Sequence, residues 1–187
     1  MTARNIHVMG VDPGGTTGWY LVTIDRHSMF HDEPPGILEY DWGEFEGPEE
    51  QQATEIARLV REIQGTDYKS GPAVICEGWY QDPGFKSTDP EALSPVRIGA
   101  MLSLLRYQGL FADATLTFQD RSIAFQAWTD ERLRRKGLWV EGSDHIRAAS
   151  RHALTGLRRA KENPEFAKAL WPYRALWIDD RWSGRVA

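Results

Sequence analysis

The chain has 187 residues, 41% of them hydrophobic and 26% charged, a balance that excludes a disordered chain or a coiled coil and suits one domain around one core. No apolar run approaches the ~20 residues needed to cross a bilayer, residues 1–5 lack the apolar stretch of a signal peptide, and a lone Cys76 excludes an intrachain disulfide, so a cytoplasmic protein stabilised by packing is expected. The net charge of -5 opposes a generally basic nucleic-acid binder, yet its distribution is two-sided. Acidic residues crowd the first third (Asp32, Glu33, Glu39, Asp41, Glu44, Glu46, Glu49, Glu50), whereas Arg132, Arg134, Arg135, Lys136, Arg147, Arg151, Arg158, Arg159 and Lys161 follow later. Such a chain can bind DNA through its basic flank, although a solvated helix face explains each cluster equally well.

In chain order, residues 6–11 form an apolar run that ends in Asp12-Pro13-Gly14-Gly15, the pattern of a buried strand closed by a tight turn. Residues 19–24 and 37–42 read as a second and third strand. Residues 48–63 carry apolar side chains at helical spacing. The run Ala73-Val74-Ile75-Cys76 is a compact strand that stops on Glu77. Residues 81–95, rich in Pro, Gly, Asp and Ser, read as a loop, and residues 96–107 as a buried helix. A strand over 114–118 follows, then short helices over 122–128 and 130–136. A final helix over about 144–161 is capped by Ser143 or Asp144. The order β-β-β-α-β-α-β-α predicts an α/β fold, a mixed five-stranded sheet flanked by helices, with a Trp-rich tail (Trp171, Trp177, Trp182) from about residue 162.

Two strands thus end on carboxylates. Glycines after Asp12 let a phosphate or a metal-bound substrate approach the backbone, though Asp-Pro-Gly-Gly also suits a plain turn. Glu77 ends the most apolar strand, where a carboxylate is costly unless paired or bound to a cation. If the strands are neighbours, the acids meet at one sheet edge, and a hard divalent cation relieves their repulsion. Asp144 and His145 open the last helix, each a candidate ligand, with Asp144 equally explained as a cap. Arg151 and His152 lie two turns further on and are expected to reach that edge less readily.

Together these segments resemble the RuvC-type Holliday junction resolvases of the RNase H-like superfamily, in the form found in phages of actinobacteria. Gly10-Val11-Asp12-Pro13-Gly14, closed by Thr17-Gly18, is similar to the opening motif, and the strand ending on Glu77 to the second. His145, Ala148-Ala149 and Arg151-His152-Ala153-Leu154 resemble the helix signature, and Trp128-Thr129-Asp130-Glu131-Arg132-Leu133 with Lys136-Gly137-Leu138 is also similar. The likeness runs from Ile6 to about Leu157. It implies an RNase H-like homodimer that holds two Mg²⁺ or Mn²⁺ ions, one being the alternative here, and cuts four-way junctions or related forks and flaps. It makes Asp12 and Glu77 the first two acidic ligands and Tyr80 an aromatic near the junction centre. His145 falls where some members carry His and others Asp. The family pattern places another Asp where this chain has Ala148, so Asp144 is expected to supply the missing oxygen, with Arg147 as an alternative contact to the scissile phosphate. Lys86 is a candidate phosphate contact, with an exposed loop lysine the stronger expectation. Arg132, Arg134, Arg135, Lys136 and Arg151 are candidates to grip DNA arms with salt-sensitive affinity. Trp79, Tyr80 and Phe85 could stack on unpaired bases, with core packing the stronger expectation for Trp79.

Two other readings stay open. Asp-Pro-Gly-Gly-Thr-Thr-Gly also resembles the phosphate loop of sugar kinases and actin-like ATPases, which need two such domains. Ala148 leaves room for a branched-DNA-binding protein that does not cut.

Overall fold

A computed structural model describes residues 5–25, 36–66, 71–78, 91–111 and 113–172. β1 (Asn5–Asp12), β2 (Thr17–Asp25) and β3 (Ile37–Phe45) form an antiparallel meander; α1 (Glu49–Thr66) then leads to β4 (Ala73–Gly78). A 3₁₀ turn (Glu91–Leu93) opens α2 (Ser94–Tyr107), and β5 (Thr115–Asp120) is followed by α3 (Arg121–Ala127), α4 (Asp130–Arg135), α5 (Asp144–Glu162) and α6 (Pro164–Leu170). The five strands lie in the order β3-β2-β1-β4-β5, with β4 parallel to both β1 and β5.

Strand alternation divides the core into two layers. Ile6 and Val8 of β1, Tyr20 and Val22 of β2 and Ile75 of β4 pack with α5 residues Ala149, Ala153 and Leu157 on one face. Met9, Val11, Val74 and Cys76 pack with Ile56 and Val60 of α1 and Ile98 and Leu102 of α2 on the other. On this count Asp12 belongs to the α5 face with Ile6 and Val8, and Glu77 to the same face with Ile75. The small-residue stretch of α5 presses hard on the sheet. A Cβ at Gly10 would lie 1.9 Å from the Ala149 carbonyl oxygen, and one at Gly18 would lie 2.3 Å from the His145 carbonyl carbon, so only glycine admits the helix at both points.

Several element boundaries differ by a few residues from the sequence expectation. β3 runs on to Phe45, and α2 starts at Ser94 because Pro95 suits a first helical turn. Within the expected tail, Asn163 caps α6 by accepting from the Glu165 and Phe166 amides, with Pro164 at its first position. Trp171 just beyond it is buried, whereas Trp177 and Trp182 lie outside the described residues. No helix among the described residues is long and apolar enough to cross a membrane.

Candidate functional site

β1 and β4 pair in parallel up to Val11 opposite Cys76, so Asp12 and Glu77 leave the paired region side by side at the strands' C-terminal ends. Their carboxyl groups are within hydrogen-bonding reach of each other. Burial, together with the Glu77 charge, raises the Asp12 pKa despite a hydrogen bond to His145. Burial alone would raise Glu77 too, but hydrogen bonds to His152 and Asp12, and the nearby Arg121, hold it below the ordinary carboxylate range. Without a cation Asp12 is therefore the harder of the two to ionise, because of its burial and the neighbouring Glu77 charge.

α5 supplies a histidine to each acid. His145 Nδ1 lies 2.8 Å from Asp12 Oδ2, and this contact raises the pKa of the half-exposed imidazole. His152 Nε2 lies 3.0 Å from Glu77 Oε2 in a fully buried setting, and its Nδ1 lies 3.1 Å from Gln119 Nε2. Gln119 stands opposite Glu77 in the β4–β5 register. The turn after Asp12 is clamped from α1: buried Gln52 donates its amide to the carbonyls of Gly15 (2.9 Å) and Gly47 (2.7 Å). Cys76 beside the pair is buried, and burial pushes its thiol pKa up, which leaves it protonated and inert.

The remaining candidates fall elsewhere. The Asp144 carboxylate is 95% exposed and paired with Arg147 at 2.5 Å, while Ser143 accepts the capping bond from the Ile146 amide. Asp144 thus faces solvent, paired with Arg147 rather than with Asp12 or Glu77; Ala148, at the departing position, is buried. Arg147 is further engaged by the Gly142 carbonyl. Arg151 is no DNA contact: it is buried, donates to the Trp128 carbonyl at 2.9 Å and pairs with Asp130, pinning the start of α4 to α5. Arg132 lies over the Trp128 ring and donates to the Ala127 carbonyl. Arg134 lies over Trp139, and Arg135 and Lys136 are exposed. Trp79, Tyr80, Phe85 and Lys86 lie outside the described residues.

Sequence reasoning missed four contributors, Gln52 among them. His152 was discounted for its two-turn offset, yet α5 crosses the sheet obliquely, so the offset carries it from β1 to β4. Gln119 gave no signal beyond an amide in a short strand. Arg121, 59% exposed and stacked 4.6 Å over Phe125, places Nη1 3.4 Å from Glu77 Oε1. Among the described residues no three His, Cys, Asp or Glu side chains are arranged to hold a metal between them. Two touching carboxylates nevertheless suit a hard divalent cation, since Mg²⁺ is commonly held by one or two carboxylates with water and substrate phosphate completing its shell.

No family model matches the chain, and no curated protein sequence matches it. Among solved structures it is similar to Thermus thermophilus RuvC in complex with a Holliday junction substrate, at 16% identity and TM-score 0.56, covering 84% of this chain and 96% of that one. A second T. thermophilus RuvC structure matches at 15% identity with the same TM-score and coverage. The yeast mitochondrial Holliday junction resolvase Ydc2 matches at 12% identity and TM-score 0.48, covering 89% and 84%. At these identities the likeness to the two Thermus structures is one of fold: the chain has the RNase H-like sheet of RuvC.

Proposed function

We propose that this chain is a metal-dependent, structure-selective endonuclease that hydrolyses phosphodiesters in branched DNA, four-way junctions above all. The observation that carries the reading is the pair of carboxyl groups, the buried Asp12 and the partly buried Glu77, within interacting distance at the ends of adjacent parallel strands. Such a pair lacks positive charge, and Asp12 and Glu77 would hold Mg²⁺ or Mn²⁺, with His145 as the nearest additional donor to Asp12 in place of Asp144. When bound, one or two such ions supply an activated water and neutralise the pentavalent phosphate. Protein groups do the rest. His152 holds Glu77 in place, Gln52 fixes the backbone after Asp12, and the exposed Arg121 guanidinium can turn from Glu77 to a phosphate oxygen.

Arg134, Arg135 and Lys136, with Arg132 and Arg147 more tightly engaged, would contact DNA arms, while Tyr80 and Lys86 keep the roles their resemblance implies. The shared fold supports the substrate class, because one of the similar RuvC structures holds a Holliday junction substrate. A homodimer suits the exposed stripe of Val96, Ala100, Leu104 and Tyr107 along α2.

The test is a cleavage assay on four-way junctions, forks, flaps and linear duplexes in Mg²⁺ or Mn²⁺. Asp12→Asn and Glu77→Gln should each lower junction cleavage by about 10³-fold or more while junction binding persists. Near wild-type cutting by both variants would remove the site assignment, and binding without cutting by the wild type would remove the nuclease reading.

A further inference from the structure

Glu77, Gln119 and His152 come from β4, β5 and α5 and form a continuous hydrogen-bonded chain in which Gln119 and His152 are buried and Glu77 is the partly exposed end. Its chemistry is directional. A carboxylate only accepts, so the imidazole nitrogen 3.0 Å from Glu77 Oε2 must carry a proton. In a neutral ring Nδ1 then holds a lone pair and needs a donor, which the Gln119 amide nitrogen provides at 3.1 Å. That orientation leaves the buried Gln119 Oε1 with no hydrogen-bond partner among the described residues. A side chain serving only to fill space there would be apolar, because an unpaired buried carbonyl is unfavourable. The amide donor gives Gln119 a role that an apolar side chain of the same size could not fill.

We infer that Gln119 is a positioning residue that holds the His152 ring from its Nδ1 side with Nε2–H aimed at Glu77, and through it locks the Glu77 carboxylate beside Asp12. His152 is accordingly a fixed donor to the carboxylate rather than a metal ligand, and the site's rigidity on the β4 side originates in β5. This rests on the proposed function only in treating Glu77 as a cation ligand; the tautomer itself does not depend on that reading. Outer partners of this kind typically alter metal affinity about 10–100-fold when removed.

The experiment is long-range ¹H–¹⁵N correlation NMR of histidine-labelled full-length protein, with Mn²⁺ titration of the same samples. The wild type should show His152 protonated at Nε2. Gln119→Leu should free the ring to tilt, shifting and broadening the His152 ¹⁵N signals while Nε2 keeps its proton toward Glu77, and weaken Mn²⁺ binding at least about 10-fold. Gln119→Glu, which offers only acceptors, should place a second proton on Nδ1, giving an imidazolium between two carboxylates. A wild-type His152 protonated at Nδ1 overturns the inference and needs no variant to fold. So does a Gln119→Leu protein that keeps the wild-type pattern. If the tautomer behaves as expected but the wild type cuts no DNA, the nuclease reading fails and the positioning role stands.

Discussion

Asp12 and Glu77 are neighbours, yet the two halves of the site around them are built differently. On the β1 side, Asp12 meets a histidine whose side chain is 43% exposed, at the first turn of α5 beside the solvent-facing Asp144. On the β4 side, Glu77 meets a histidine that is fully buried and held in turn by Gln119. The contrast separates two tasks. The β4 half is a rigid frame that fixes one carboxylate in advance, and the β1 half is an opening where an imidazole and a carboxylate can rearrange around an arriving ligand.

That division can be broken by mutation. His152→Ala should cost about 2–4 kcal/mol of folding stability, since it opens a cavity and strands both Glu77 and Gln119. His145→Ala should cost under about 1 kcal/mol, because its pair is half in solvent. Chemical denaturation of both variants checks this, and equal losses would erase the distinction between frame and opening. A smaller effect separates the arginines. Arg151→Met should destabilise the protein by about 2 kcal/mol, because it leaves the Trp128 carbonyl without its donor. Its folded fraction should bind junctions with unchanged salt dependence. Arg135→Ala should leave stability alone and reduce the salt slope of junction binding by about 1. The opposite assignment of effects would place Arg151 at the DNA.

What could be read from the residues alone follows the same line. The succession of strands along the chain and the placement of two acids at strand ends were legible because the first and fourth apolar runs stop abruptly on a carboxylate, a pattern that strand periodicity and the cost of burying charge both mark; the adjacency of those two strands came only with the structure. The third-ligand position was not. Asp144 at a helix start looks alike whether it faces a metal or solvent, and only the observed Ser143 cap and Arg147 pair decide. His152 was hidden because sequence spacing gives distance along a helix but not the angle at which the helix crosses a sheet. Arg151 looked like its exposed neighbours, since a buried cation is recognised by partners, here Asp130 and Trp128, that lie about 20 residues away. The cap Asn163-Pro164 carried a readable signal for α6 that a tail reading passed over.

The most direct test of a cation shared by Asp12 and Glu77 is thermal unfolding at pH 5 and pH 8, with and without Mn²⁺, for wild type and Asp12→Asn. A carboxyl whose pKa is raised by folding stabilises the native state below its unfolded value and loses that contribution as pH rises through the folded value. His145, raised by Asp12, acts in the same direction. Cation-free wild type should therefore lose stability relative to Asp12→Asn between pH 5 and pH 8, and Mn²⁺ should restore it in the wild type alone. Equal Mn²⁺ stabilisation of Asp12→Asn, or a wild type that gains on the variant toward pH 8, would contradict the account.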